Sequence, residues 1–140
     1  LLLCVIDFCA GVRVVSRRAI EPLGGISQAT RVGDHIFLSG QVAFDENGEL
    51  VGDGDAKTQS EQIFRNIERL LAKAGASLDD VTLLTTFLTD AEHFADYSTV
   101  KKRYFPKDPP AGTTVIVAGL LDPRLLLEVE VHAVVEPGDS

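Results

Sequence analysis

Between Thr58 and Ala74 the hydrophobic period of the sequence changes, and that change limits the fold more than any other feature. Ile63, Phe64, Ile67, Leu70, Leu71 and Ala74 recur at the spacing of one helical face, while Glu61, Arg65, Glu68, Arg69 and Lys73 occupy the other. Gly75 stands where a helix C-terminal stop belongs. The segments on either side alternate with period two, as strands do. A helix with one apolar stripe set among strands has to lie on a sheet. Burying its large apolar side chains contributes on the order of 10 kcal/mol before conformational entropy opposes it.

Residues 12–15 (Val-Arg-Val-Val) read as a short strand, and Pro22-Leu23-Gly24-Gly25 as the turn that breaks it. Gln28–Val32, the pair Gly33-Asp34 and His35–Val42 follow the pattern of strand, tight turn and strand. Asp45–Glu49 contains Asn-Gly and supplies a further turn. Val81–Thr89 is β-branched and apolar on both alternating faces, as an interior strand requires. Asp90 is placed to cap a second helix, in which Phe94, Tyr97, Lys101 and Tyr104 keep helical spacing until Pro106 and Pro109-Pro110 end it. Two strands close the chain, Thr113–Gly119 and Leu125–Val135. In the last, Leu127, Val129, Val131, Ala133 and Val135 face one way, and Glu128, Glu130 and His132 the other. The order β-β-β-α-β-α-β-β predicts an α+β two-layer sandwich: a mixed, mostly antiparallel six-stranded sheet with two helices on one face.

A net charge of −8 repels phosphate backbones, and the basic residues form no stripe, so nucleic acid is not an expected partner. The two cysteines, Cys4 and Cys9, build neither a disulfide framework nor a four-ligand zinc site. The opening run Leu1–Ile6 lacks a basic flank, is interrupted by Asp7 and is too short to span a bilayer. We therefore expect residues 1–11 to be an N-terminal extension, residues 12–140 a single domain, and the location cytoplasmic, with no membrane partner.

Glu128 and Glu130, two apart on one strand, share a face. Solvated, they are ordinary alternating residues. Partly desolvated by a neighbouring subunit, they gain raised pKa values and become proton acceptors for water. His132 beside them is a weak metal signal, since neither His35 nor His93 stands at ligand spacing to it. Ser39 is not in a nucleophile elbow, and no phosphate-binding glycine loop occurs, so no nucleotide cofactor and no metal are expected.

Several segments taken in order resemble the RidA/YjgF family, also described as endoribonuclease L-PSP. Val32–Val42 resembles its early hairpin ending in Ser-Gly-Gln, and Gly48–Gly52 the segment after it. Ala74–Val81, Thr86–Asp90 and Phe94-Ala95 resemble the middle of the pattern, and Leu127–Val131 its closing strand. The likeness runs from about Gly24 to Val135. It implies a chorismate-mutase-like subunit in a homotrimer, with small-molecule clefts between subunits. It also implies hydrolysis of reactive imines or enamines to a carbonyl compound and ammonia, without a cofactor.

Carried over residue by residue, the resemblance puts the water-holding glutamate at Glu128 and the backbone carbonyl that assists it at Thr114. Ser39 and Gly40 fall among the residues lining the cleft. The family arginine that grips a substrate carboxylate falls on Gly112, an aromatic residue on Ile26, and an asparagine of the second helix on Ser98. A standard 2-imino acid would therefore bind poorly, because a bidentate guanidinium is lost. Arg124, on the loop before the last strand, either replaces that charge or is a surface residue. The expected function is deamination of an imine, enamine or related activated metabolite, with a non-catalytic ligand-binding trimer as the alternative. A ribonuclease reading is opposed by the acidic charge.

Overall fold

The computed structural model describes residues 17–137. Its elements run β1 (Arg18–Leu23), β2 (Ile26–Val32), β3 (His35–Gln41), α1 (Ala56–Ala74), β4 (Val81–Leu88), α2 (Phe94–Tyr104), β5 (Ala111–Ile116) and β6 (Leu127–Val134). The six strands form one sheet in the order β1-β2-β3-β6-β4-β5. Every neighbouring pair is antiparallel except β4 and β5. This is the α+β architecture that the hydrophobic periods predict.

Helix α1 starts where Asp55 accepts a hydrogen bond from the Thr58 amide (3.1 Å), two residues before the expected start, and ends at Gly75 with φ +85°. Its stripe of Ile63, Phe64, Ile67, Leu70 and Leu71 is fully buried in one core with Ile36 and Leu38 of β3 and with Val129 and Val131 of β6. Phe64 packs against Tyr97, Tyr104 and Phe105, which fastens α2 to α1. At the far end Arg31 of β2 donates Nη1 to the Ala74 carbonyl (2.7 Å), one of the carbonyls a helix end leaves open. No described helix is long and apolar enough to cross a membrane.

The strand expected at residues 12–15 and the extension at 1–11 lie outside the described residues. Pro22 belongs to β1 and not to the turn, which narrows to Gly24-Gly25 at φ +60° and +86°. Proline is tolerated there because β1 is an edge strand. Asp90 caps a 3₁₀ turn, Ala91–His93, which leads into α2, so the cap falls one turn earlier than a direct start of the helix. Strand β5 begins at Ala111 and ends at Ile116, shifted back from the expected Thr113–Gly119, because its parallel register with β4 stops where β4 does.

Along β6 the predicted alternation holds: Leu127, Val129, Val131 and Ala133 are buried, and Glu128, Glu130 and His132 point to the face without helices. That face also exposes Phe37 and Leu83, and β5 is exposed along its whole length.

Candidate active site

The pairing of β3 with β6 slips once. Leu38 pairs with Val131 and Gln41 with Val129, so Ser39 and Gly40 together oppose the single residue Glu130. Such a β-bulge bends the strand and re-aims its side chains. Hydrogen bonds pin it: Ser39 Oγ donates to the Ser27 carbonyl (2.7 Å), and Gln41 Nε2 donates to the Ser39 carbonyl (3.0 Å) and to Gln28 Oε1 (3.2 Å).

The bulge makes a seat for Glu128. A Cβ built on Gly40 would stand 1.8 Å from Glu128 Oε1 and 2.7 Å from its Cδ, so the carboxylate occupies the space that any other residue at position 40 would fill. Among the described residues no donor meets this carboxylate. Burial pushes its pKa above the ordinary carboxylate value, and the charge of Glu130 adds to the shift. A desolvated carboxylate without a donor is a better proton acceptor near neutral pH than a surface one.

Glu128 lines a cleft of about 700 Å³ together with Ile26, Ser39, Gly40, Leu121 and Leu125, and α1 contributes Asn66 and Arg69 to it. Ile26 is 57% exposed, so the rim is apolar where the resemblance puts an aromatic ring. Four of the residues picked from the sequence thus meet in one place: Ile26, Ser39, Gly40 and Glu128.

The other four do not join them within one chain. Gly112 and Thr114 lie on β5, where they pair with Leu84 and Thr86 of β4, while Glu128 pairs with Phe87 from the opposite side of β4. Two strand spacings, about 10 Å, separate them. Ser98 is on α2 and does not line the cleft. Arg124 borders a smaller hollow of about 350 Å³ with Gly48, Glu49, Leu50 and Asp53. Its guanidinium is already engaged by Asp122 through both oxygens (3.1 and 2.7 Å), which pushes the Asp122 carboxyl down to about 2.

Sequence reasoning missed the polar residues of α1 that hold the cleft together. Asn66 Nδ2 donates to the carbonyls of Val42 (3.1 Å) and Phe44 (2.8 Å). Gln59, fully buried, donates to the carbonyls of Gly52 (3.0 Å) and Arg124 (2.9 Å) and accepts from the Leu126 amide (2.9 Å). The available signal was a pair of amides on the apolar stripe, where a side chain is kept only if its hydrogen bonds are made. We expect Gln59→Ala to cost about 1–3 kcal/mol by leaving these loop groups unpaired, read as a lower denaturation midpoint in urea.

His132 has a ring partner that sequence spacing does not reveal. His35 Nδ1 lies 3.0 Å from His132 Nε2, and Phe37 stacks on His132 at 4.6 Å. The antiparallel β3–β6 pairing brings together rings that are 97 residues apart. Among the described residues no group of three or more potential ligands is arranged to hold a metal.

The sequence profile of the endoribonuclease L-PSP family matches residues 16–135. The chain belongs to this family, known also as RidA/YjgF. Within it, a RutC family protein of Pyrococcus abyssi is 40% identical over 86% of this chain and 94% of its own length. A 3-aminoacrylate deaminase, RutC, of Acinetobacter baylyi is 36% identical over 77% of this chain and 85% of its own. The crystal structure of RidA from an Antarctic Psychrobacter superposes with a TM-score of 0.76 at 36% identity, covering 84% of this chain and 94% of that one. The L-PSP family fold thus accounts for the sheet and both helices.

Proposed function

We propose that the chain hydrolyses the C=N bond of an imine, or of the imine tautomer of an enamine, in a cleft completed by a neighbouring copy in a homotrimer. The observation that carries the reading is Glu128, half-buried, without a donor among the described residues and seated on Gly40 in the cleft. The deaminase activity in the name of the Acinetobacter relative is carried to this chain on that ground.

In the proposed reaction a water beside Glu128 gives it a proton while the water oxygen attacks the imine carbon, and the C=N electron pair moves to nitrogen. Glu128 passes the proton to that nitrogen, which gives a carbinolamine. It next takes the hydroxyl proton and delivers it to the amine. The C–N bond breaks, ammonia leaves and a carbonyl remains. Imine and water are thereby converted into carbonyl compound and ammonia, with no electrons gained or lost and no cofactor needed.

The carbonyl oxygen of Thr114 is the second group we assign to the water. It lies about two strand spacings from Glu128 within one chain, so it has to come from another copy. The bare sheet face and the exposed β5 are the surfaces on which copies would pack. Gly112 on the same strand leaves room where the family holds its arginine: a Cβ there would meet nothing closer than the Leu84 carbonyl at 3.8 Å. A standard 2-imino acid is thus not the preferred substrate. The same observation favours the second reading, a trimer that binds a small ligand without turning it over, with Ile26 and Ser98 as further departures from the family pattern.

Ammonia release from imines made in situ separates the two. Release well above the buffer rate is expected. Binding without any acceleration over buffer would leave the ligand-binding reading standing. RNA is a poor alternative at a net charge of −8.

A further inference from the structure

Arg69, on α1, is the one basic residue among those described that lines the cleft with Glu128. It does so with its fork mostly unspent. Nη1 donates to Glu21 Oε1 (2.6 Å), and its remaining N–H groups meet no acceptor among the described residues. A guanidinium offers five donors in a planar array that matches a carboxylate through two parallel bonds. The contact with Glu21 is a one-point version of that pairing.

Glu21 has a second cation. Lys73, one helical turn beyond Arg69, bonds to the same oxygen. Should another carboxylate take Arg69, Glu21 keeps Lys73, so the exchange strands no charge. The rest of the rim is unfriendly to anions, because Asp45, Glu46 and Asp122 also line the cleft. Asp45 is turned toward the amides of Asn47 and Glu49 (both 2.9 Å), and Asp122 is held by Arg124. An acidic group entering the cleft therefore has Arg69 as its one basic partner among the described residues, with Glu128 lining the same cleft.

We infer that Arg69 is the anchor for an acidic group of the substrate, occupied by Glu21 until the substrate arrives. The position left empty by Gly112 would hold a carboxylate next to the C=N carbon. Arg69 stands on α1, and β5 contributes no residue to the cleft, so Arg69 suits an imine whose carboxylate is carried away from the reacting carbon, and a γ-imino acid is the probe for that class. This rests on the imine-hydrolase reading of the cleft, and it names a specificity-determining residue and a substrate class for it.

The test compares a γ-imino acid with its neutral amide, both generated in situ, in the wild type, Arg69→Gln, Arg69→Lys and Glu21→Gln. In Arg69→Gln the KM for the acid is expected to rise about ten- to a hundredfold, with kcat and the KM for the amide unchanged. Arg69→Lys, which keeps the charge and loses the fork, should fall between. Glu21→Gln, which removes the competing carboxylate, should lower the KM for the acid. An Arg69→Gln variant whose KM moves equally for acid and amide, or for neither, overturns the anchor. Binding of the matching γ-keto acid and its amide, measured by calorimetry, keeps the two ideas apart. If no imine is turned over, tight binding of the keto acid that is lost in Arg69→Gln supports the anchor while the hydrolase reading fails. Keto-acid binding untouched by Arg69→Gln overturns the anchor whatever the turnover.

Discussion

Glu128→Gln is expected to slow imine hydrolysis about 10²- to 10⁴-fold, the usual contribution of a positioned general base, without weakening the fold. The amide keeps the shape of the side chain and loses the ability to take a proton. Stability should move the opposite way from activity. The folded state raises the Glu128 pKa, first through burial and then through Glu130, so the ionised carboxylate opposes folding. That cost is absent at a pH below the ordinary carboxylate value. It grows as the pH rises through the folded-state value and is then constant. At neutral pH the uncharged glutamine escapes it, and the variant should melt at the same temperature or higher. Loss of activity together with loss of stability would mark Glu128 as a structural residue instead.

Gly40→Ala should cut the rate by about 10²-fold through geometry alone, since a shift of about 1 Å in a catalytic group is enough for that. The new methyl would fall 1.8 Å from Glu128 Oε1, and what has to yield is the end of a flexible side chain and not backbone. The fold should therefore survive, with Glu128 displaced from its seat. The double variant separates positioning from other effects. If Gly40 acts only by seating Glu128, then Gly40→Ala adds nothing in the Glu128→Gln background. Additive losses would mean that residue 40 touches the substrate on its own account.

The architecture was legible because burial follows period. The stripe of α1 and the alternation of β6 each state which side meets the core, and both were read correctly from residues 63–74 and 127–135. The turn expected at Pro22–Gly25 is narrower in the fold because proline signals a turn in most contexts and is harmless only on a sheet edge, which depends on the whole topology. The seat beneath Glu128 was hidden for a related reason. A bulge is a relation between two strands, and Ser39-Gly40 carries no local mark of being two residues opposite one.

For the site, strand alternation put Glu128 on the right face, and the family pattern pointed to Ile26, Ser39 and Gly40, which meet it in the cleft. Gly112 and Thr114 share that pattern yet sit across β4 from Glu128, because a linear motif does not state the strand order that separates its residues. Arg124, which the sequence leaves as either a replacement cation or a surface residue, is paired with Asp122 two residues earlier. Charge and spacing place Arg69 on a solvated helix face, and only the packing of β1 and β3 beside α1 brings it to the cleft.

Site-specific NMR titration of the Glu128 carboxyl, run beside the pH profile of ammonia release, decides whether Glu128 is the general base. The expected result is a Glu128 midpoint above the ordinary carboxylate value of 4.5 and an acid limb of the rate that follows the same midpoint. A carboxyl that titrates at that ordinary value, or a rate that crosses the Glu128 midpoint unchanged, would contradict it.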